Sequence, residues 1–299
     1  MSRKPSDSPH TEHRRDRRRS PSRGGTGEHP PRYGNTTNAT TPVRPNPRTR
    51  QRLSQNLLTD HAVAAAIVRY ADVGRQESVI EVGPGEGILT RALARNGNRI
   101  TAYELDPRYA KRLAATYRNN PDVTCHHRDF LTVTPPSEAF SVVANIPYSR
   151  TNAIVGWCLD ASAMTSATLV TQWEYARKRT GDYGRWSRLT VLSWPRHEWR
   201  LLGRIDRRRF RPVPRVDSGI LRIERRDEPL LSPRLYRLYE ELVMAGFIGT
   251  GGDLHHSLRG MARASRLRKA LAQADIHPGV PVGYIRPGQW VRLARALGR

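Results

Sequence analysis

Cysteine is nearly missing from this sequence, with only Cys125 and Cys158 among 299 residues. Two cysteines cannot build a disulfide framework, and neither sits in the paired spacing of a metal site. Long apolar runs are missing too. The longest, Ala62 to Val68, is seven residues, far short of the roughly 20 that cross a bilayer. No apolar stretch follows the first basic residues, which disfavours a secretory signal. Adjacent histidines occur at His126-His127 and His255-His256, but neighbours on a strand point to opposite faces, so zinc is disfavoured. A soluble, reduced, cytoplasmic chain without metal or membrane span is expected.

Lysine is scarce as well: Lys4, Lys111, Lys178 and Lys269 stand against 47 arginines. The 51 basic residues exceed the 27 acidic ones by 24, and the pI is near 11.2. Such a surplus favours an anionic partner, nucleic acid before an acidic membrane surface. Arginine codons are mostly GC-rich and lysine codons are not, so base composition of the gene accounts for part of the bias.

The chain changes character twice. Residues 1–50 hold twelve Lys/Arg and four Asp/Glu, a net of +8, and only Met1, Tyr33, Ala39 and Val43 from the apolar set. Too little apolar surface exists there to offset ordering entropy, so a disordered basic arm is expected. Its Arg14–Arg19 cluster is either an RNA-phosphate contact or a solvated tail. The other 249 residues retain +16.

From Thr59 or Asp60, either able to cap a helix, apolar periodicity begins. Strands near Ser78–Val82, Arg99–Leu105, Val123–Cys125, Phe140–Ala144 and Thr168–Thr171 alternate with helical stretches. Repeated β-α-β means a parallel sheet covered on both faces. Strands near Leu189–Trp194, Glu198–Ile205 and Ser218–Ile223 read as an antiparallel edge. After Arg226 the strand signals stop, and helices are expected over Pro233–Phe247, Leu254–Met261, Arg266–Ala274 and Pro287–Leu297. The fold class is α/β, a Rossmann-like catalytic domain over 51–226 followed by a small all-helical domain over 227–299.

The sharpest local signal is Glu81-Val82-Gly83-Pro84-Gly85-Glu86-Gly87, between a strand and a helix. Its G-x-G-x-G spacing is not the dinucleotide fingerprint, and no phosphate-binding lysine is present. Flanking glutamates disfavour pyrophosphate and suit a cationic amine and sulfonium, the features of S-adenosylmethionine. Glu104 ends the next strand, where a carboxylate can accept from ribose hydroxyls. Asp129, after the third, can accept from an adenine amino group. The fourth ends in Asn145-Ile146-Pro147-Tyr148. An exocyclic adenine amine attacks a methyl group only after its nitrogen becomes tetrahedral. The Asn145 side-chain oxygen and the Ile146 carbonyl can accept both amine hydrogens, Pro147 fixes the turn, and Tyr148 offers a stacking face.

Together these motifs resemble the ribosomal RNA adenine N6-methyltransferase family, and within it the macrolide-lincosamide-streptogramin resistance (Erm) type. Gln55, Asn56 and Leu57 match its opening cofactor motif, Gly83, Gly85 and Gly87 its methionine-side loop. Phe210-Arg211-Pro212-Val213-Pro214-Arg215-Val216-Asp217-Ser218 matches its later F-x-P-x-P-x-V-D-S signature. The resemblance implies that Phe210 holds the target base against Tyr148, replacing the stacking lost on extraction. It implies S-adenosylmethionine as cofactor, with mono- or dimethylation of one adenine in 23S rRNA, naked or in an early assembly intermediate. The enzyme would act as a monomer and confer macrolide resistance. Arg177, Lys178, Arg208, Arg209, Arg211 and Arg215 would flank the pocket and hold RNA phosphates. Ser149-Arg150 departs from the Asn-Ile of many relatives, and Gly249–Asp253 lacks their basic residues. The competing readings are a small-subunit rRNA adenine dimethyltransferase and a methyltransferase-like RNA-binding assembly factor.

Overall fold

The computed structural model describes residues 56–249, 253–277 and 279–298, so the expected arm over 1–50, Gln55 and Thr250–Gly252 lie outside the described residues. Chain order runs β1 (Leu57–Leu58), α1 (His61–Ala71), β2 (Ser78–Val82), α2 (Ile88–Asn96), β3 (Arg99–Glu104), α3 (Pro107–Thr116) and β4 (Val123–His127). It continues with β5 (Phe140–Asn145), α4 (Thr151–Asp160), β6 (Met164–Gln172), α5 (Trp173–Thr180), α6 (Arg188–Ser193), β7 (His197–Ile205), β8 (Phe210–Arg211) and β9 (Ser218–Arg225). Four helices close it: α7 (Pro233–Ile248), α8 (Leu254–Ser257), α9 (Ala264–Gln273) and α10 (Pro287–Leu297).

The main sheet has the order β4-β3-β2-β5-β6-β9-β7. From β4 to β6 the neighbours are parallel, while β9 runs antiparallel to both β6 and β7. Strand order reverses between β2 and β5, which opens a crevice at their carboxyl ends. Two apolar cores cover the sheet, because central strands such as Phe140–Ala144 are apolar at successive positions and bury both faces. One core packs Ile67, Leu93 and Leu113 from α1, α2 and α3 against Ile100 and Val143. The opposite core packs Ile154, Val155 and Ala176 from α4 and α5 against Val142, Leu169 and Ile223.

A third core, around Tyr239, Leu242, Leu267, Leu271 and Trp290, belongs to the last four helices but also takes in Val191 of α6. The hydroxyl of Tyr239 donates to the Val191 carbonyl. This corrects the expectation of a strand over Leu189–Trp194. Ser187 caps that segment by accepting from the Thr190 amide at 3.2 Å, and a single helical turn buries Val191 where a sheet edge would expose it. The helix expected over Leu254–Met261 also stops early, at Ser257.

Residues Leu57 and Leu58 form a strap, pairing antiparallel with Arg211 and Phe210 outside the main sheet. Its far end is fixed by Asp60, which accepts from the Ala62 and Val63 amides at 2.8 and 3.1 Å and pairs with Arg209 at 2.6 Å. The Val63 amide above all holds the Asp60 carboxyl below the usual carboxylate range. Asp60→Ala is therefore expected to cost about 1–2 kcal/mol in urea unfolding near neutral pH. A group whose folded pKa is depressed contributes above its unfolded pKa and loses the contribution as pH falls, so the gap between the proteins should narrow in acid.

Candidate functional site

A cavity of about 270 Å³ opens at the carboxyl ends of β2, β3 and β4. Gly83, Glu104, Asp129 and Pro147 line it, together with Leu105, Arg128, Ser149 and Arg150. Three successive strand tips and the turn after β5 thus meet at one site, as their sequence positions predicted.

The glycine loop divides its labour. Gly83, Gly85 and Gly87 all have positive φ, at 66°, 55° and 75°. A Cβ on Gly83 would meet nothing within 4 Å, so its missing side chain leaves open space at the cavity wall. A Cβ on Gly85 would come within 2.6 Å of Leu57, and one on Gly87 within 2.6 Å of Leu113. Only the first leaves space for a ligand; the other two let the strap and α3 close against the loop.

Glu104 is buried, and each carboxylate oxygen accepts one backbone N–H: Gly85 at 2.9 Å and Asp106 at 2.8 Å. Burial raises its pKa against the pull of those amides. A carboxylate has about four acceptor sites, so Glu104 keeps room for a hydroxyl donor. Asp129 lies just beyond β4, accepting from the Leu131 amide at 3.0 Å and from Arg150 at 2.9 Å. Sequence reading noted Arg150 only as a departure from the family pattern. The structure makes it the partner of the acid expected to meet adenine.

Glu81 corrects the electrostatic argument drawn from the loop. It is buried, accepts from the Thr90 hydroxyl at 2.6 Å, and burial pushes its pKa up to about 8, with Glu104 adding repulsion. Burial thus favours the uncharged form of Glu81 on one side of the loop, and the exposed Glu86 lies on its other side.

At the end of β5, the Asn145 Nδ2 donates to the Asn56 carbonyl at 2.8 Å. That donor fixes the orientation of the amide, because only nitrogen can serve a carbonyl. The Asn145 oxygen is then left without a partner among the described residues. Ile146 is buried beneath the turn, and Pro147 and Tyr148 are half-buried. Tyr148 shares a 2.6 Å hydrogen bond with the buried Ser218 hydroxyl, which fixes the ring. Sequence reading placed Ser218 in a signature but gave it no task; a small hydroxyl after a Pro-rich loop, facing a tyrosine turn, was the available signal.

Phe210 does not join this group. Its ring is wholly buried in the first core with Leu58, Ile205 and Ile220, offering no face to a base. The strap explains this, since β8 pairs with β1 and carries the ring inward. Arg208 pairs with Asp206 at 2.7 Å, Arg209 with Asp60, and Arg177 with Asp182 and across the Tyr183 ring. Lys178, Arg211 and Arg215 are exposed, and no side-chain partner is seen for them among the described residues.

The oxygen-rich, partly apolar cavity fits S-adenosylmethionine: carboxylates for ribose and adenine, exposed Leu105 for the flat base, and an open wall at Gly83. Residues 46–298 match the family described as "Ribosomal RNA adenine dimethylase". An "rRNA adenine N-6-methyltransferase" of Streptomyces fradiae is 51% identical over 252 residues, covering 84% of this chain and 79% of its own. A protein of the same description from Saccharopolyspora erythraea is 47% identical over 250 residues, covering 84% of this chain and 66% of its own. The crystal structure of "23S rRNA methyltransferase ErmE" superposes with a TM-score of 0.79 at 47% identity, covering 82% of this chain and all of that one.

Glu81→Gln replaces the protonated carboxyl by a neutral group of the same shape. An acid whose folded pKa is raised to about 8 from 4.5 disfavours folding progressively between those pH values, by about 1.4 kcal/mol per unit. The variant should gain on the wild type as pH rises from 5 to 8. Parallel stability curves would show that Glu81 ionises inside the fold.

Proposed function

From the chain's membership of the ribosomal RNA adenine dimethylase family, we propose that it methylates N6 of one adenine in 23S rRNA and thereby confers macrolide resistance. The observation that carries this reading is the oriented amide of Asn145 beside a cavity shaped for the cofactor. S-adenosylmethionine supplies an electrophilic methyl group whose sulfonium leaves without help from a base. The protein's task is then placement and desolvation.

Asn145 Oδ1 and the Ile146 carbonyl accept the two hydrogens of N6, turning its lone pair towards the methyl group. Tyr148, held by Ser218, supports one face of the base. Glu104 accepts from the ribose, and Asp129, braced by Arg150, accepts from the cofactor's adenine. Asn56 and Leu57 hold the turn and the glycine loop together, with Gln55 extending the same motif. Residues 51–226 form the catalytic part and 227–299 a helical part that contacts RNA. Phosphate contacts fall first on Lys178, Arg211 and Arg215, since Arg177, Arg208 and Arg209 already face carboxylates. The substrate is naked 23S rRNA or an early assembly intermediate, met by a cytoplasmic monomer. No helix among the described residues is long and apolar enough to cross a membrane.

Similarity to the resistance-type structure at 47% identity supports 23S over small-subunit rRNA. Methyl-labelled cofactor should mark naked 23S rRNA and leave 30S subunits unlabelled, with one adenine mapped by reverse-transcription stops. Label found only in 30S overturns the assignment. Asn145→Ala should lower turnover about 100-fold or more while RNA affinity stays within a few-fold. Equal losses in both would remove the chemical role given to Asn145.

A further inference from the structure

A groove of about 250 Å³ runs between α1 and α2, and the reaction above gives it no task. His61 and Arg69 of α1 face Ile88, Arg91 and Arg95 of α2 across it. No aspartate or glutamate lines the groove. Arg91 and Arg95 stand four residues apart on one helix, a spacing at which like charges repel.

The arginines near Phe210 make the contrast. Arg204, Arg208 and Arg209 each pair with a carboxylate, Asp217, Asp206 and Asp60 respectively. No ion pair, side-chain hydrogen bond or ring partner is seen for Arg69, Arg91 or Arg95 among the described residues. Three guanidinium groups thus converge on one concave surface with their donors unspent. Guanidinium suits phosphate because its planar fork can donate two hydrogen bonds to one anion.

Position narrows the occupant. Ile88 directly follows Gly87 of the cofactor loop, and His61 lies shortly after the strap, which Asn56, the partner of Asn145, precedes. Two of its lining residues therefore adjoin the cofactor loop and the strap in the chain. We propose that it holds backbone phosphates of the RNA strand flanking the target adenine, a second contact surface apart from the cluster beside Phe210. This rests on RNA being the substrate.

The test compares wild type with Arg69→Gln/Arg91→Gln/Arg95→Gln, using a naked 23S rRNA transcript and a range of KCl concentrations. Losing three phosphate contacts should flatten the slope of log K against log[salt] by about 2, at about 0.7 per contact on single strands. The KM for RNA should rise tenfold or more, with kcat at saturating RNA and the Kd for S-adenosylmethionine within twofold. The triple lysine variant should keep the wild-type slope. A control that neutralises Lys111 and Arg112 on α3 and Arg118 just beyond it should change the slope by less than half as much. An unchanged slope in the glutamine variant, or an equal change in the control, overturns the groove. Failure of the wild type to methylate the transcript overturns the 23S reading alone, because the groove is read from binding.

Discussion

The hydrogen bond from Asn145 to the Asn56 carbonyl is the constraint on which the site depends. It joins the end of the fourth parallel strand to a segment 89 residues earlier in the chain, and by using the amide nitrogen it decides where the amide oxygen points. The strap that delivers Asn56 is held in turn by Leu57 against Gly85, by Leu58 against Phe210, and by Asp60 against Arg209. The glycine loop, the turn after β5 and the Pro-rich loop are consequently one mechanical unit. A glycine at 85 is required there less for the ligand than for the strap, because any Cβ would strike Leu57.

Much of this was legible in the sequence, for identifiable reasons. Ser78–Val82 and Phe140–Asn145 are short apolar runs ended by turn chemistry, so their strands and tips could be placed before any coordinates. Glu104 and Asp129 follow from the same logic, since a strand tip in a parallel sheet is where ligands bind. What escaped depended on tertiary pairing. Leu189–Trp194 is as apolar as a strand, and only the third core, which accepts Val191, makes it a helix. Phe210 belongs to a base-holding signature, yet its pairing with Leu58 turns the ring inward. No local pattern reports that Glu81 is buried deeply enough to keep its proton.

Charge shows the same gap between counting and geometry. The surplus of 24 pointed to nucleic acid, and the arginines around Phe210 drew attention to residues 207–215. Asp206 takes Arg208 of that run and Asp60 takes Arg209, so two of its five arginines already face carboxylates. Exposed ion pairs are weak, so phosphates can compete for these arginines, but each exchange must first release a carboxylate.

The pairing of Arg150 with Asp129 has a pharmacological side. At that corner the cavity presents a cation within reach of any ligand seated at the adenine end. An adenosine mimic bearing an acid group there would have to draw Arg150 away from Asp129 to gain a counter-ion. One ion pair beyond the turn thus decides what charge an inhibitor can carry at that end of the cavity.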